Sequence, residues 1–214
     1  MCQRYGVGFH THSNESRFDV EETEHRYGMR PIQALETLCK LGHRVGGPAL
    51  EAVRKLASGG KPADRVMALW SLQLVGEPGA QAEIARALSS PDPEVRLRSG
   101  YALRWLHPTD PTVLRALARA ADREPPGTDS YPYVLGAAVA ATADPARVAT
   151  WRLELGRLLE NGPAEARFEI CQSLLPSFTP ADLPRLAALL DDPQSDTRIG
   201  AARAILFLES RVRP

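Results

Sequence analysis

The stretch Arg65-Val-Met-Ala-Leu-Trp-Ser-Leu72 returns as Arg96-Leu-Arg-Ser-Gly-Tyr-Ala-Leu103, as Arg167-Phe-Glu-Ile-Cys-Gln-Ser-Leu174 and as Arg198-Ile-Gly-Ala-Ala-Arg-Ala-Ile205. Each copy runs arginine, apolar, four variable positions, small, aliphatic. Two degenerate copies keep the order with proline in place of arginine, Pro31-Ile-Gln-Ala-Leu-Glu-Thr-Leu38 and Pro132-Tyr-Val-Leu-Gly-Ala-Ala-Val139. The anchors at 31, 65, 96, 132, 167 and 198 are 34, 31, 36, 35 and 31 residues apart. Self-similarity at such a period marks a stack whose units bury their apolar faces only against their neighbours.

The anchors open helices. Pro62, Pro91-Asp92-Pro93, Gly162-Pro163 and Asp192-Pro193 stand just before them, and proline suits the first helical turn while aspartate caps it. Upstream of each anchor lies a shorter stripe at spacings of three and four, such as Leu50, Val53 and Leu56, or Trp151, Leu155 and Leu158, as on one face of a helix. Gly42 and Gly76 stand where a helix-ending glycine is expected. The spacing therefore predicts an all-α solenoid of about six helical hairpins over residues 31–214, each anchor starting the second helix of its hairpin. Residues 1–30 do not repeat and read as an N-terminal cap or extension. The insert Glu124-Pro-Pro-Gly-Thr-Asp-Ser-Tyr-Pro132 predicts a bend or a protruding loop in the fourth copy.

Composition limits the partners. With 26 basic and 26 acidic residues, the 214-residue chain has no overall charge to draw it to phosphate backbones or anionic membranes. Cys2, Cys39 and Cys171 are odd in number and lack C-x-x-C spacing, which suits free thiols in a reducing cytoplasm. The start, Met-Cys-Gln-Arg-Tyr-Gly, has no apolar region, and the run Val134 to Ala143 is too short to span a bilayer.

The turns Leu88-Ser-Ser-Pro-Asp-Pro-Glu-Val-Arg96 and Leu190-Asp-Asp-Pro-Gln-Ser-Asp-Thr-Arg198 match the form L-x-D-x-D-x-x-V-R. On these turns the chain resembles the HEAT-repeat family, close to its short PBS-lyase HEAT-like, armadillo-like variant. The resemblance implies a right-handed α-superhelix whose second helices line the concave side. It says little about function, because such repeats serve unrelated tasks.

At about 100° per residue from each anchor, places +3, +6, +7 and +10 share one arc and hold small or aliphatic residues, which are expected to pack against the next hairpin. Places +2, +5 and +9 fall on another arc, expected to line the concave face. Their occupants include Met67, Trp70, Leu74, Arg98, Tyr101, Trp105, Arg203 and Phe207, and these are the candidate partner-binding residues. Aromatic and Met side chains edged by arginine have the composition of a binding hot spot. A homodimer contact or the chain's own termini would bury the same rings. The recurring Arg65, Arg96, Arg167 and Arg198 read instead as a structural ladder of hydrogen bonds to turns.

No catalytic residue, metal ligand or cofactor motif is expected. His10, His12, His25 and Cys2 lack a scaffold that would hold a metal, and no repeat carries a His-Glu pair. The expectation is a noncatalytic scaffold that holds a protein or peptide partner on its concave face. The alternatives are a bilin-lyase-like enzyme or enzyme component and a HEAT-like DNA glycosylase or nucleic-acid binder. For the latter Trp70, Tyr101, Trp105, Arg98 and Arg104 would grip the duplex, with Asp110 and Asp122 as the nearest carboxylates, and the neutral balance weighs against it.

Overall fold

The computed structural model describes residues 48–74 and 76–212. The expectations for the cap at 1–30, the copy at Pro31 with Gln33, Glu36 and Lys40, Gly42, and the histidines and cysteines before residue 48 lie outside them. Among the described residues the fold is all-α. Its helices are α1 (Pro48–Gly59), α2 (Pro62–Leu74), α3 (Ala80–Ala87), α4 (Pro93–Leu106), α5 (Pro111–Ala121), α6 (Tyr131–Ala141), α7 (Pro145–Asn161), α8 (Ala164–Leu174), α9 (Leu183–Ala188) and α10 (Ser195–Val212). Short 3-10 turns flank α9, and no described helix is long and apolar enough to cross a membrane.

Among the described residues, the anchors at 65, 96, 132, 167 and 198 each fall in the second helix of a hairpin. The Asp-Pro pairs explain why helices start where they do. Asp92 accepts a hydrogen bond from the Glu94 amide at 2.9 Å, Asp110 from Thr112 at 2.7 Å and Val113 at 3.2 Å, and Asp144 from Ala146 at 3.1 Å. In each case the following proline occupies the first turn, where its missing N–H is not needed. Past α2, Gly76 turns the chain at φ 88°; His107 does so past α4 at φ 46°.

The second helices α2, α4, α6, α8 and α10 stack in order as an inner layer, and the first helices form the outer layer behind them. The core lies between the layers, with Ile84, Leu103, Leu117, Leu135, Leu155, Leu159, Ile170 and Leu186 fully buried. Not every stripe residue reaches it, since Leu56 and Leu190 are exposed. Of the small residues at +6, Ala102, Ala138, Ser173 and Ala204 are buried, whereas Ser71 is exposed, with no described helix stacked on that side.

The inner face is narrower than the wheel predicts. Val134, Ala137, Glu169 and Gln172 are buried, because an inner helix is covered by a neighbour on each side and an outer helix behind. A methyl group on Gly200, at +2 in α10, would sit 3.1 Å from the Cys171 Cβ, and one on Gly100, at +4 in α4, would sit 2.8 Å from the Tyr133 backbone. Places +2 and +4 thus belong largely to stacking, and +9 is the place left open in every described copy, at Leu74, Trp105, Ala141, Pro176 and Phe207.

The arginine ladder is structural. Arg96 donates to the Ser90 and Pro91 carbonyls at 2.9 Å and pairs with Glu124 of the next hairpin at 2.9 Å. Arg198 donates to the Asp192 carbonyl at 2.7 Å, Arg65 to that of Ala57 at 3.1 Å, and Arg167 pairs with Asp192. The carboxylate of Arg96 is Glu124, from the insert, and not the adjacent Asp92, which caps α4. That pairing corrects the expected protrusion. Glu124 is buried and also accepts hydrogen bonds from Thr128 and Ser130, so the insert is knitted into the stack and α6 packs on both α4 and α8.

Candidate functional site

Three rings form a row on α2 and α4. Trp70 at +5 meets Tyr101 at +5 edge to face, with centroids 5.5 Å apart, and Tyr101 meets Trp105 at +9 with centroids 6.3 Å apart. This geometry sets the positive edge of one ring against the negative face of the next. Trp105 is 41% exposed and Leu74 63%, while Met67, Trp70 and Tyr101 are half-buried. The Trp70 Nε1–H is buried and has no hydrogen-bond partner among the described residues.

Arg104 organises the face beside the rings. Its guanidinium lies 4.5 Å from the Trp105 centroid and 5.7 Å from that of Tyr101, within cation–π range. It also pairs with Glu169 on α8. Because α6 stacks between α4 and α8, this ion pair crosses an entire hairpin. The crossing is open because α6 carries Ala137, Ala140 and Ala141 where the other described copies place larger side chains. Burial raises the Glu169 carboxyl above its ordinary pKa, opposed by the charge and hydrogen bond of Arg104. Burial, and then the Glu169 charge, raise the Tyr101 phenol.

A polar track continues across α8. Gln172 is only 8% exposed; its Oε1 accepts from Arg203 on α10, and its Nε2 has no partner among the described residues. Phe207 lies 5.6 Å from the Arg211 guanidinium. Arg98 is held by Glu94 at 2.8 Å. The sequence-predicted residues therefore fall in two groups. Met67, Trp70, Leu74, Tyr101 and Trp105 gather on α2 and α4, and Arg203 and Phe207 lie on α10 beyond the Arg104–Glu169 crossing.

Among the described residues no group of three or more His, Cys, Asp or Glu side chains could hold a metal ion. The sequence places Glu169 at +2 and Gln172 at +5 on the expected lining and offers Arg104 to the nucleic-acid alternative, but none of the three is among the candidate partner-binding residues. Their signal was the run of small residues in α6, which leaves room for a long side chain from either side.

The fold defines an all-α protein of stacked helical hairpins. Residues 50–129, from α1 to the turn after α5, match the family model of HEAT repeats, and the chain carries HEAT repeats there. No curated protein and no solved structure matches the chain.

Proposed function

We propose that the chain is a noncatalytic binding module that holds a protein or peptide segment against the inner face of α2 and α4. The observation that carries this reading is the row Trp70, Tyr101 and Trp105, edged by a guanidinium held at once by rings and a carboxylate. Rigid aromatic anchors offer large contact area at little entropic cost. This proposal takes the repeats to run over 31–214, with 1–30 as a cap or extension, in a cytoplasmic setting. That setting suits the buried Cys171 thiol, which burial pushes up to about 12 and keeps protonated.

The test is selection from a displayed random peptide library on the wild-type chain, followed by binding of the enriched peptides to Trp105→Ala and Trp70→Ala. Truncating a hot spot costs about 2 kcal/mol or more, roughly 30-fold in affinity. Enriched peptides should lose that much on both variants at matched folded concentration. Failure of any peptide to enrich, or equal binding to the variants, would dismiss the reading.

A further inference from the structure

The arginines of the outer layer mostly have carboxylate partners. Arg147 lies 3.5 Å from Asp122, Arg157 2.6 Å from Glu154 and Arg185 2.7 Å from Glu160. Helix α5 breaks the pattern. Arg115, Arg119 and, just past its end, Arg123 follow one another at intervals of four, all exposed. Among the described residues none of them pairs with a carboxylate; Arg115 donates to Thr112 Oγ1 and Arg119 to the Arg115 carbonyl, both at 3.2 Å. The helix contains no acidic side chain. Like charges one turn apart destabilise a helix by about 0.2–0.5 kcal/mol per pair. The carbonyl end of α5 attracts cations and accounts for Arg119 and Arg123, but Arg115 lies mid-helix.

Arg119 and Arg123 also line a cleft of about 630 Å³ that reaches across to Arg86 at the end of α3. The nearest carboxylate to Arg86 is Glu83, at 4.0 Å. One acid, Glu124, lies in the cleft, and its charge is already taken by Arg96, Thr128 and Ser130. Between the arginines the lining is small and apolar, with Ala116 and Ala120, which lets another backbone come close.

We propose that the cleft between α3 and α5 binds an extended acidic peptide segment, whose carboxylates pair with Arg86, Arg119 and Arg123 while Arg115 continues the row. Guanidinium and carboxylate match as bidentate partners. The spacing also fits, because side chains four apart on a helix rise by about 6 Å and alternate side chains of an extended peptide by about 6.6 Å. Nucleic acid fits less well. The cleft has no aromatic residue on which a base could stack, and a handful of arginines is a small footprint for a duplex. This site lies on the outer layer and is independent of the ring row on the inner helices.

The experiment is fluorescence anisotropy of a labelled peptide of alternating glutamate and alanine titrated with the full chain. Saturable binding that weakens with salt is expected, together with a loss of roughly tenfold or more in Arg119→Gln/Arg123→Gln. Arg152→Gln, on α7 outside the cleft, should bind as the wild type does. Arg119 and Arg123 are exposed and Arg152 is partly exposed, so both variants should melt with the wild type by circular dichroism, which keeps a lost fold from imitating a lost site. Absence of saturable binding, or undiminished binding by the double variant, would overturn the proposal. Tighter binding of an oligouridylate of equal charge would move the site to nucleic acid. A peptide with its glutamates in one block binding as well as the alternating one would overturn the extended register.

Discussion

Arg104 is the residue on which most of the inner face depends, since one guanidinium serves two rings and a carboxylate on another hairpin. Removing one member of a buried pair strands the other, at a cost of about 3–5 kcal/mol, whereas replacing both by apolar groups is often neutral or stabilising. Arg104→Met should therefore lose about 3–5 kcal/mol in urea unfolding, and Arg104→Met/Glu169→Leu should recover most of it. The sign of the pH dependence follows from Glu169. Its carboxyl is already raised by burial, and without Arg104 nothing opposes that rise. A folded pKa above the unfolded one favours folding below the unfolded pKa, a contribution lost as pH rises through the folded pKa. The deficit of Arg104→Met should thus be full at neutral pH and shrink on acidification, with urea midpoints across pH as the measurement. Trp70, Tyr101 and Trp105 were legible in the sequence because the repeat aligns them at +5 and +9. The Arg104–Glu169 pair was not, because a wheel drawn for one helix cannot see a partner two helices away.

The inner helices are set against one another by glycine. A methyl on Gly100 meets the Tyr133 carbonyl and the Val134 amide, which are backbone, while one on Gly136 meets only the Ser173 side chain. Overpacking of this kind costs about 1–3 kcal/mol. Gly100→Ala should show that loss. Gly136→Ala should show it too, and adding Ser173→Gly should return part of it, read as a coupling energy in a double-mutant cycle of urea unfolding. The caps supply a test of opposite pH sign. Thr112 and Val113 amides hold the Asp110 carboxyl below the ordinary aspartate range, so its stabilisation is complete above the unfolded pKa and lost as pH falls through the folded one. Wild type should melt above Asp110→Asn at neutral pH, and the two should converge in acid. Helix starts were legible in the sequence because Asp-Pro pairs mark them directly. The burial of Val134 and Glu169 at +2 was not, since it follows from how many neighbours an inner helix has, which no single repeat records.

In a stack of hairpins each unit ordinarily answers only to its neighbours, so stability is a sum of local contributions and interface contributions. Here the pair between α4 and α8 reaches past α6 and directly joins two hairpins that are not neighbours in the stack. Hydrogen exchange should show α4, α6 and α8 opening together, with α2 and α10 exchanging at lower free energy. In Arg104→Met/Glu169→Leu the three should separate into distinct openings. The period of the repeats was legible because the anchors recur; the grouping was not, because it depends on side chains in different copies meeting in space. The same tie bears on how such an array can lengthen or shorten by copying whole units. Duplication or loss of the hairpin that holds α6 would move Arg104 and Glu169 out of reach and leave two opposite charges buried alone. A hairpin inserted or removed within the block from Pro93 to Leu174 is therefore expected to cost more stability than one inserted or removed outside it.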